Sequence, residues 1–364
     1  MAQVDEDRIA RVLAEATLTH ERPQLLITDP WSIYYLTGFY AEMYERFSGV
    51  LISAGDTPVI FNNVLYPIDS YDNARVVGID DADDLISILA THIDAGRDLG
   101  VDGHMRADFL LPLEEAKAAR SIYLASAPVA RVRAHKDASE RELMRTSSAI
   151  NDRVMAKMPE LLHEGATEHE IAAGLLALYK ADGAEGFSFD PIVSFGANAA
   201  DPHHVPDDTV LHAGEVALFD IGGRYSNYCS DMTRTFFFGD VDEESKRIYD
   251  IVRHANEAAE ELIKPGVRFC DIDRCAREII EDAGYGPYFT HRLGHSIGLQ
   301  DHEPGDVSSA NEACVEAGMT FSIEPGIYLP GRTGVRIEDL VLVTETGCEV
   351  LNGYTKEPVT IEAR

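Results

Sequence analysis

Four carboxylates and one imidazole stand out for their surroundings: Asp220, Asp231, His295, Glu324 and Glu338. Asp220 ends the apolar run Val216–Phe219, and Asp231 leads into Met232–Phe238, so both sit beside strand-forming sequence. A hairpin centred between Tyr225 and Ser226 would set Asp220 opposite Asp231, and opposed buried carboxylates repel unless a cation holds them. On this stretch alone, a solvated turn aspartate and a solvated strand-end aspartate explain the pair equally well. Gly294 and Gly298 flank His295 and allow close backbone approach. Glu324 ends a strand-like run before Pro325-Gly326. Glu338, read within a strand over 334–343, shares its alternating face with Leu340 and Leu342, which predicts a buried carboxylate that is costly unless bound. Four anionic oxygen donors and one imidazole suit hard or borderline divalent ions, with charge enough for two. Two such ions about 3.5–4 Å apart, bridged by carboxylates and a hydroxide, make a hydrolytic centre.

The elements that must position these residues fall into two groups. Over the first 130 residues or so, strands at Gln24–Ile27, Gly49–Ser53, Pro58–Asn62, Asp98–Asp102 and Ser121–Leu124 alternate with helical stretches at Val4–Ala16, Asp83–Ala95 and Ala107–Ala119. That pattern predicts a small α/β domain. Trp31, the only tryptophan, reads as a core or interface anchor. From Asp137 the pattern changes: Asp137-Ala-Ser-Glu140 is a capping box opening a long amphipathic helix to about His163. An internal duplication follows, in which Gly165, Ile171 and Gly183 recur as Gly266, Ile272 and Gly284. Two such halves are expected to face each other with a site between them.

Composition narrows the function. The 364 residues carry 63 acidic against 31 basic side chains, a formal net charge of −32. This excess argues against nucleic acid and anionic membranes as partners. With so few lysines, it also predicts a protein adapted to high salt, where screening removes self-repulsion. The five cysteines include no Cys-x-x-Cys pair, and no long apolar run or leader pattern is seen, so a reduced, cytoplasmic protein is expected. Cys229, two residues before Asp231, reads as a small apolar strand residue rather than a nucleophile.

The segments DIGGRYSNYCSDMTRTF, HRLGHSIGLQDHE, SIEPGIY and VRIEDLVLV together resemble the pita-bread metallopeptidases: prolidase, aminopeptidase P and methionine aminopeptidase. The stretch WSIYYLTGF is similar to the N-terminal domain of the prolidase and aminopeptidase P branch. The fold this implies is α+β: a pseudo-twofold pita-bread catalytic domain over 135–364 behind a smaller creatinase-like α/β domain over 1–134. It implies two divalent ions, manganese or cobalt, with zinc or iron as alternatives. Asp220 would chelate one ion, Asp231 and Glu338 would bridge both, and His295 and Glu324 would complete the other site. His203 and His291 would bind substrate, His302 would stabilise the tetrahedral intermediate, Glu324 would also shuttle a proton, and Arg336 would order Glu338 or touch substrate. Taken singly, each of these histidines reads as structural.

The activity implied is hydrolysis of a small peptide at the bond before proline, by a homodimer. One departure bears on substrate length: no Lys or Arg occurs from Glu303 to Ile323, where dipeptide-cleaving relatives carry an arginine. Arg332, Arg336 or a partner subunit would have to hold a dipeptide's carboxylate. Two other readings are a hydrolase or lyase for a small zwitterionic osmolyte and a metal-free binding module. A substrate panel tests the first, and metal analysis tests the second.

Overall fold

A computed structural model describes residues 2–363; Met1 and Arg364, the outer ends of the two expected domains, lie outside the described residues. The chain forms two compact units, Met1–Arg133 and Ala134–Arg364.

In the first unit a six-stranded mixed sheet runs in the order Arg75–Ile79, Val59–Asn63, Gly49–Ser53, Gln24–Ile27, Leu99–Val101, Ile122–Leu124. Its core gathers Leu26, Leu51, Phe61, Leu89, Leu99 and Leu113. The strand Arg75–Ile79 has no counterpart in the sequence reading, because Val76 and Val77 sit between Arg75 and Gly78 with little alternation to mark them. The stretch around Trp31 is a helix, Pro30–Thr37, capped by Asp29 at its start and by left-handed Gly38 at its end. Trp31 packs there against Tyr34 and Tyr40. The expected helix over Asp83–Ala95 shortens to Leu85–Ala90.

In the second unit the duplication is visible in the elements. Helices α1 (Ala138–Met155) and α2 (Glu168–Ala181) are echoed by α3 (Glu243–Leu262) and α4 (Phe269–Asp282). Gly165 and Gly266, and likewise Gly183 and Gly284, adopt φ values of 89° to 97°, a left-handed backbone that favours glycine. The capping box at Asp137 and Glu140 is present. Helix α1 nonetheless stops at Met155, short of the expected end near His163. Pro159 lacks an N–H, and it is accommodated in the first turn of the new short helix Met158–Leu161.

Three strands, β1 (Ile192–Phe195), β2 (Glu215–Ile221) and, beyond the small hairpin of β3 (Gly223–Tyr225) and β4 (Tyr228–Cys229), β5 (Met232–Phe238), make one sheet with Thr360–Ile361. A second sheet contains β6 (Gly294–Ser296), β7 (Glu303–Val307), β8 (Thr320–Ile323) and β11 (Asp339–Val343), while β9 (Gly326–Leu329) and β10 (Thr333–Arg336) form a separate ribbon. Strand β2 is buried on both faces. Val216 and Leu218 enter the core built on α3 and α4, while Ala217, Phe219 and Ile221 enter the core built on α1 and α2. Asp220 therefore shares its face with Val216 and Leu218. Each half also fastens its inner strand with an asparagine: Asn151 donates to the Ile221 carbonyl at 2.9 Å and Asn256 to that of Ile323 at 2.8 Å.

Candidate active site

The β2–β5 hairpin is shifted by two residues from the sequence reading. Asp220 lies opposite Thr233, not Asp231, because the turn falls at Ser226 and Asn227 with φ of 46° and 69°. A two-residue shift preserves the face, so Asp220, Thr233 and Asp231 still point the same way. Gly222 allows the strands this close: a Cβ there would meet Ser188 Oγ and Ser230 O at 2.1 Å. Cys229 is buried in β4, consistent with a packing role.

The strand expected over 334–343 is two strands. Ribbon strand β10 ends at Arg336 and β11 begins at Asp339, with Glu338 in the break. Its antiparallel partner breaks at the same level, between β8 and β9, at Glu324-Pro325. Gly326 pairs with Arg336 and Ile323 with Asp339, so Glu324 and Glu338 occupy facing positions in the gap. Pro325 has no N–H to contribute there, which explains a ladder that opens at this point. Glu338 is buried, but as a residue of this joint rather than by alternation with Leu340. Strand β6 brings His295 against β8, where Gly294 allows a contact that a Cβ would turn into a 1.9 Å clash with Ser322 O.

These elements converge on a cavity of about 660 Å³ lined by Asp220, Asp231, His295, Glu324 and Glu338. Ligand atoms of Asp231, His295 and Glu338 all lie within 4.8 Å of one another. His295 Nε2 is 3.5 Å from Asp231 Oδ2 and 3.5 Å from Glu324 Oε1. Its Nδ1 lies 3.3 Å from the Ser296 carbonyl, a contact that places the ring proton on Nδ1 and leaves the Nε2 lone pair toward the acids. Burial, with His302 nearby, holds the His295 pKa down to about 3, so the ring is neutral. Burial pushes the Glu324 carboxyl up to about 8, with Arg336 opposing and Asp220 adding to the rise. Asp231 and Glu338 are driven well above the usual carboxylate range by burial first, then by the neighbouring acids.

The donors fit divalent cations. Asp220 Oδ1, Asp231 Oδ1 and Glu338 Oε1 are buried without any hydrogen-bond partner. Orphaned anionic oxygens in one cavity, beside a neutral imidazole lone pair, are the chemistry of a metal centre.

Around them, Arg336 is buried and locked. Its Nη2 donates to Asp220 Oδ2 at 2.6 Å, Nε to Thr233 Oγ1 at 3.0 Å and Nη1 to Tyr328 Oη at 2.9 Å. It reaches Glu338 only through Thr233, whose hydroxyl donates to Glu338 Oε2 at 2.7 Å. The sequence reading had Arg336 ordering Glu338 or touching substrate; the guanidinium lines the cavity, grips Asp220 and supports Glu338 through Thr233. Arg332 pairs with Glu244 and does not line the cavity. His203, His291 and His302 all line it. His291 Nε2 lies 2.8 Å from Tyr328 Oη, and burial, then Arg336, holds its pKa down to about 4. The His302 ring lies 3.9 Å from that of His295.

The segment carrying His203 is anchored by fully buried Glu168, which accepts from Phe195 N, Asn198 Nδ2 and Asp207 N and lies 2.6 Å from His204 Nε2. Glu168, His204 and Asp207 also lie close enough to hold an ion, but the Glu168 oxygens are already satisfied.

Sequence reasoning missed Thr233, Tyr328, Arg292 and Asp301. Thr233, two residues from Asp231 on a strand, shares its face, which was a usable signal. Arg292 and Asp301 reach the cavity, and Tyr328 reaches His291 and Arg336 of its lining, only through tertiary structure.

The model for metallopeptidase family M24 matches residues 142–345, and that for the creatinase/prolidase N-terminal domain matches residues 8–135. An uncharacterized peptidase of Staphylococcus saprophyticus is 40% identical over 91% of this chain and 95% of its own. Among solved structures, the dipeptidase PepE from Mycobacterium ulcerans superposes with a TM-score of 0.90 at 34% identity, covering 98% of this chain and 97% of that one. Recombinant prolidase from Thermococcus sibiricus gives 0.90 at 33%, covering 97% and 98%. A carboxylate–imidazole cluster at the joint of two duplicated halves, with these relatives over nearly the whole length, places the chain in metallopeptidase family M24, as a peptidase with a creatinase/prolidase N-terminal domain.

Proposed function

We propose that this peptidase cleaves the bond preceding proline, in Xaa-Pro dipeptides or at the N-terminus of longer peptides. The observation that carries the reading is the set of three orphaned carboxylate oxygens, on Asp220, Asp231 and Glu338, in a cavity that also has an apolar stretch of wall. Phe189, Pro191, Ile192, Pro202 and Val205 line that cavity and suit a pyrrolidine ring. The prolidase and dipeptidase structures among the relatives support the same choice.

Asp220, Asp231, His295, Glu324 and Glu338 would hold two divalent ions, which when bound supply Lewis acidity and an activated water. Besides holding an ion, Glu324 would carry a proton from the attacking water to the leaving nitrogen. His302 donates from its ring to the developing oxyanion. His291, braced by Tyr328, and His203 at the cavity's rim orient the peptide. Arg336 keeps Asp220 in place. Manganese or cobalt as native ion, a homodimer and a salt-rich cytoplasm belong to this reading, supported by the family resemblance and the acidic excess.

The test is a substrate panel with added manganese in high salt: an Xaa-Pro dipeptide, a longer Xaa-Pro peptide and a non-prolyl dipeptide. Hydrolysis confined to the prolyl substrates is expected. Preferential cleavage of the non-prolyl dipeptide would overturn the proline assignment.

A further inference from the structure

Two carboxylates in the cavity wall, Asp301 and Asp190, lie outside the five proposed ligands. Asp301 lines the cavity with 19% of its side chain exposed, and its Oδ1 has no hydrogen-bond partner. Its Oδ2 lies 3.4 Å from His302 Nε2, and the charges of Arg224 and Asp220 also act on it. On the other side of the same imidazole, Arg292 Nη2 lies 3.4 Å from His302 Nδ1, and Arg292 also lines the cavity. The wall around His302 is therefore polarised, negative at Asp301 and positive at Arg292. Asp190, the remaining acid of the lining, is exposed to water, where its field is screened.

A peptide's N-terminal end carries a protonated amine. In this cavity such a cation is repelled by Arg292, and by any cations held on the five ligand residues. An acid outside the ligand set is what it needs. We infer that Asp301 is a specificity-determining residue that receives a protonated amine from the residue N-terminal to the scissile bond, either its α-amine or a cationic side chain. The inference rests on the peptidase reading but not on proline as the following residue.

The test uses the metal-loaded protein and dipeptides beginning with Lys, Leu or Glu, each followed by Pro or by Ala. If only the Ala series is cleaved, the proline assignment fails, and that series still judges Asp301. If neither series is cleaved, calorimetric binding of the same peptides gives the comparison as Kd. Asp301→Asn is expected to raise KM, or Kd, on the order of tenfold, as for loss of a charge-assisted contact. A rise across all N-terminal residues assigns the α-amine, and a rise for Lys peptides alone assigns the side-chain amine. Asp301→Glu is expected to restore most of the loss. KM values within twofold of wild type for every peptide would overturn the inference. So would a uniform fall in kcat at constant KM, which would mean that Asp301 acts on His302 rather than on substrate.

Discussion

Thr233→Val removes one hydroxyl from the centre of the site and almost nothing else. Valine keeps the shape, so no void opens. The strand pairing survives as well, because Glu338 N donates to the Thr233 carbonyl at 3.1 Å whatever the side chain is. What disappears is the bridge in which Oγ1 donates to Glu338 Oε2 at 2.7 Å and accepts from Arg336 Nε at 3.0 Å. Glu338 Oε1 is already without a partner, so the variant leaves the whole carboxylate without a donor. A hydrogen bond to a charged group contributes about 1.5–3 kcal/mol. Loss of such a support behind a ligand weakens metal binding about 10–100-fold. Titration calorimetry of manganese into chelator-treated protein should read that change, with Thr233→Ser close to wild type and circular dichroism unchanged in both. A Thr233→Val Kd within twofold of wild type would refute the reasoning, because Glu338 would then need no help from its neighbour.

Two further predictions concern charge. Glu324 has its folded-state pKa raised from 4.5 to about 8, so in metal-free protein its contribution to stability is complete below about pH 4.5 and is lost as pH rises toward 8. Chelated protein should thus melt at lower temperature as pH rises through that window, and divalent ions should reverse the trend and release protons on binding, seen as buffer-dependent calorimetric heats; a chelated protein whose melting point climbs steadily to pH 8 would contradict this. Lys136 and Glu303, both buried and 2.7 Å apart, hold the loop ending at His302, since Glu303 also accepts from Leu299 N. Glu303→Leu alone should cost about 3–5 kcal/mol by stranding the lysine, and adding Lys136→Met should recover much of it, read as melting points by scanning calorimetry; equal losses in the single and double variants would show that the pair does not matter.

That Asp220, Asp231, Glu324 and Glu338 would meet at one place was legible because each acid stood beside an apolar run, a combination that is costly without a cation. The register of Asp220 was not. The hairpin was read one residue early, between Tyr225 and Ser226, whereas the chain turns at Ser226-Asn227 with both residues at positive φ, and Gly222 and Gly223 serve close packing. The break beside Glu338 depends on Pro325 in the partner strand, 13 positions earlier in the sequence, so no reading of 334–343 alone finds it. Arg292, Asp301 and the supporting Tyr328 escaped for a related reason: periodicity assigns a residue to a face, but only tertiary packing brings that face to a cavity or to the residues lining it. The helix overrun past Met155 was a local error, since Pro159 was in view.

The central claim is that Asp220, Asp231, His295, Glu324 and Glu338 hold a pair of divalent ions. Anomalous diffraction at the manganese edge from crystals grown with manganese tests it most directly. Two anomalous peaks per chain among these five side chains are predicted, both weakened or lost in a folded Asp231→Asn variant; no peak among them, or manganese bound only elsewhere, would contradict it.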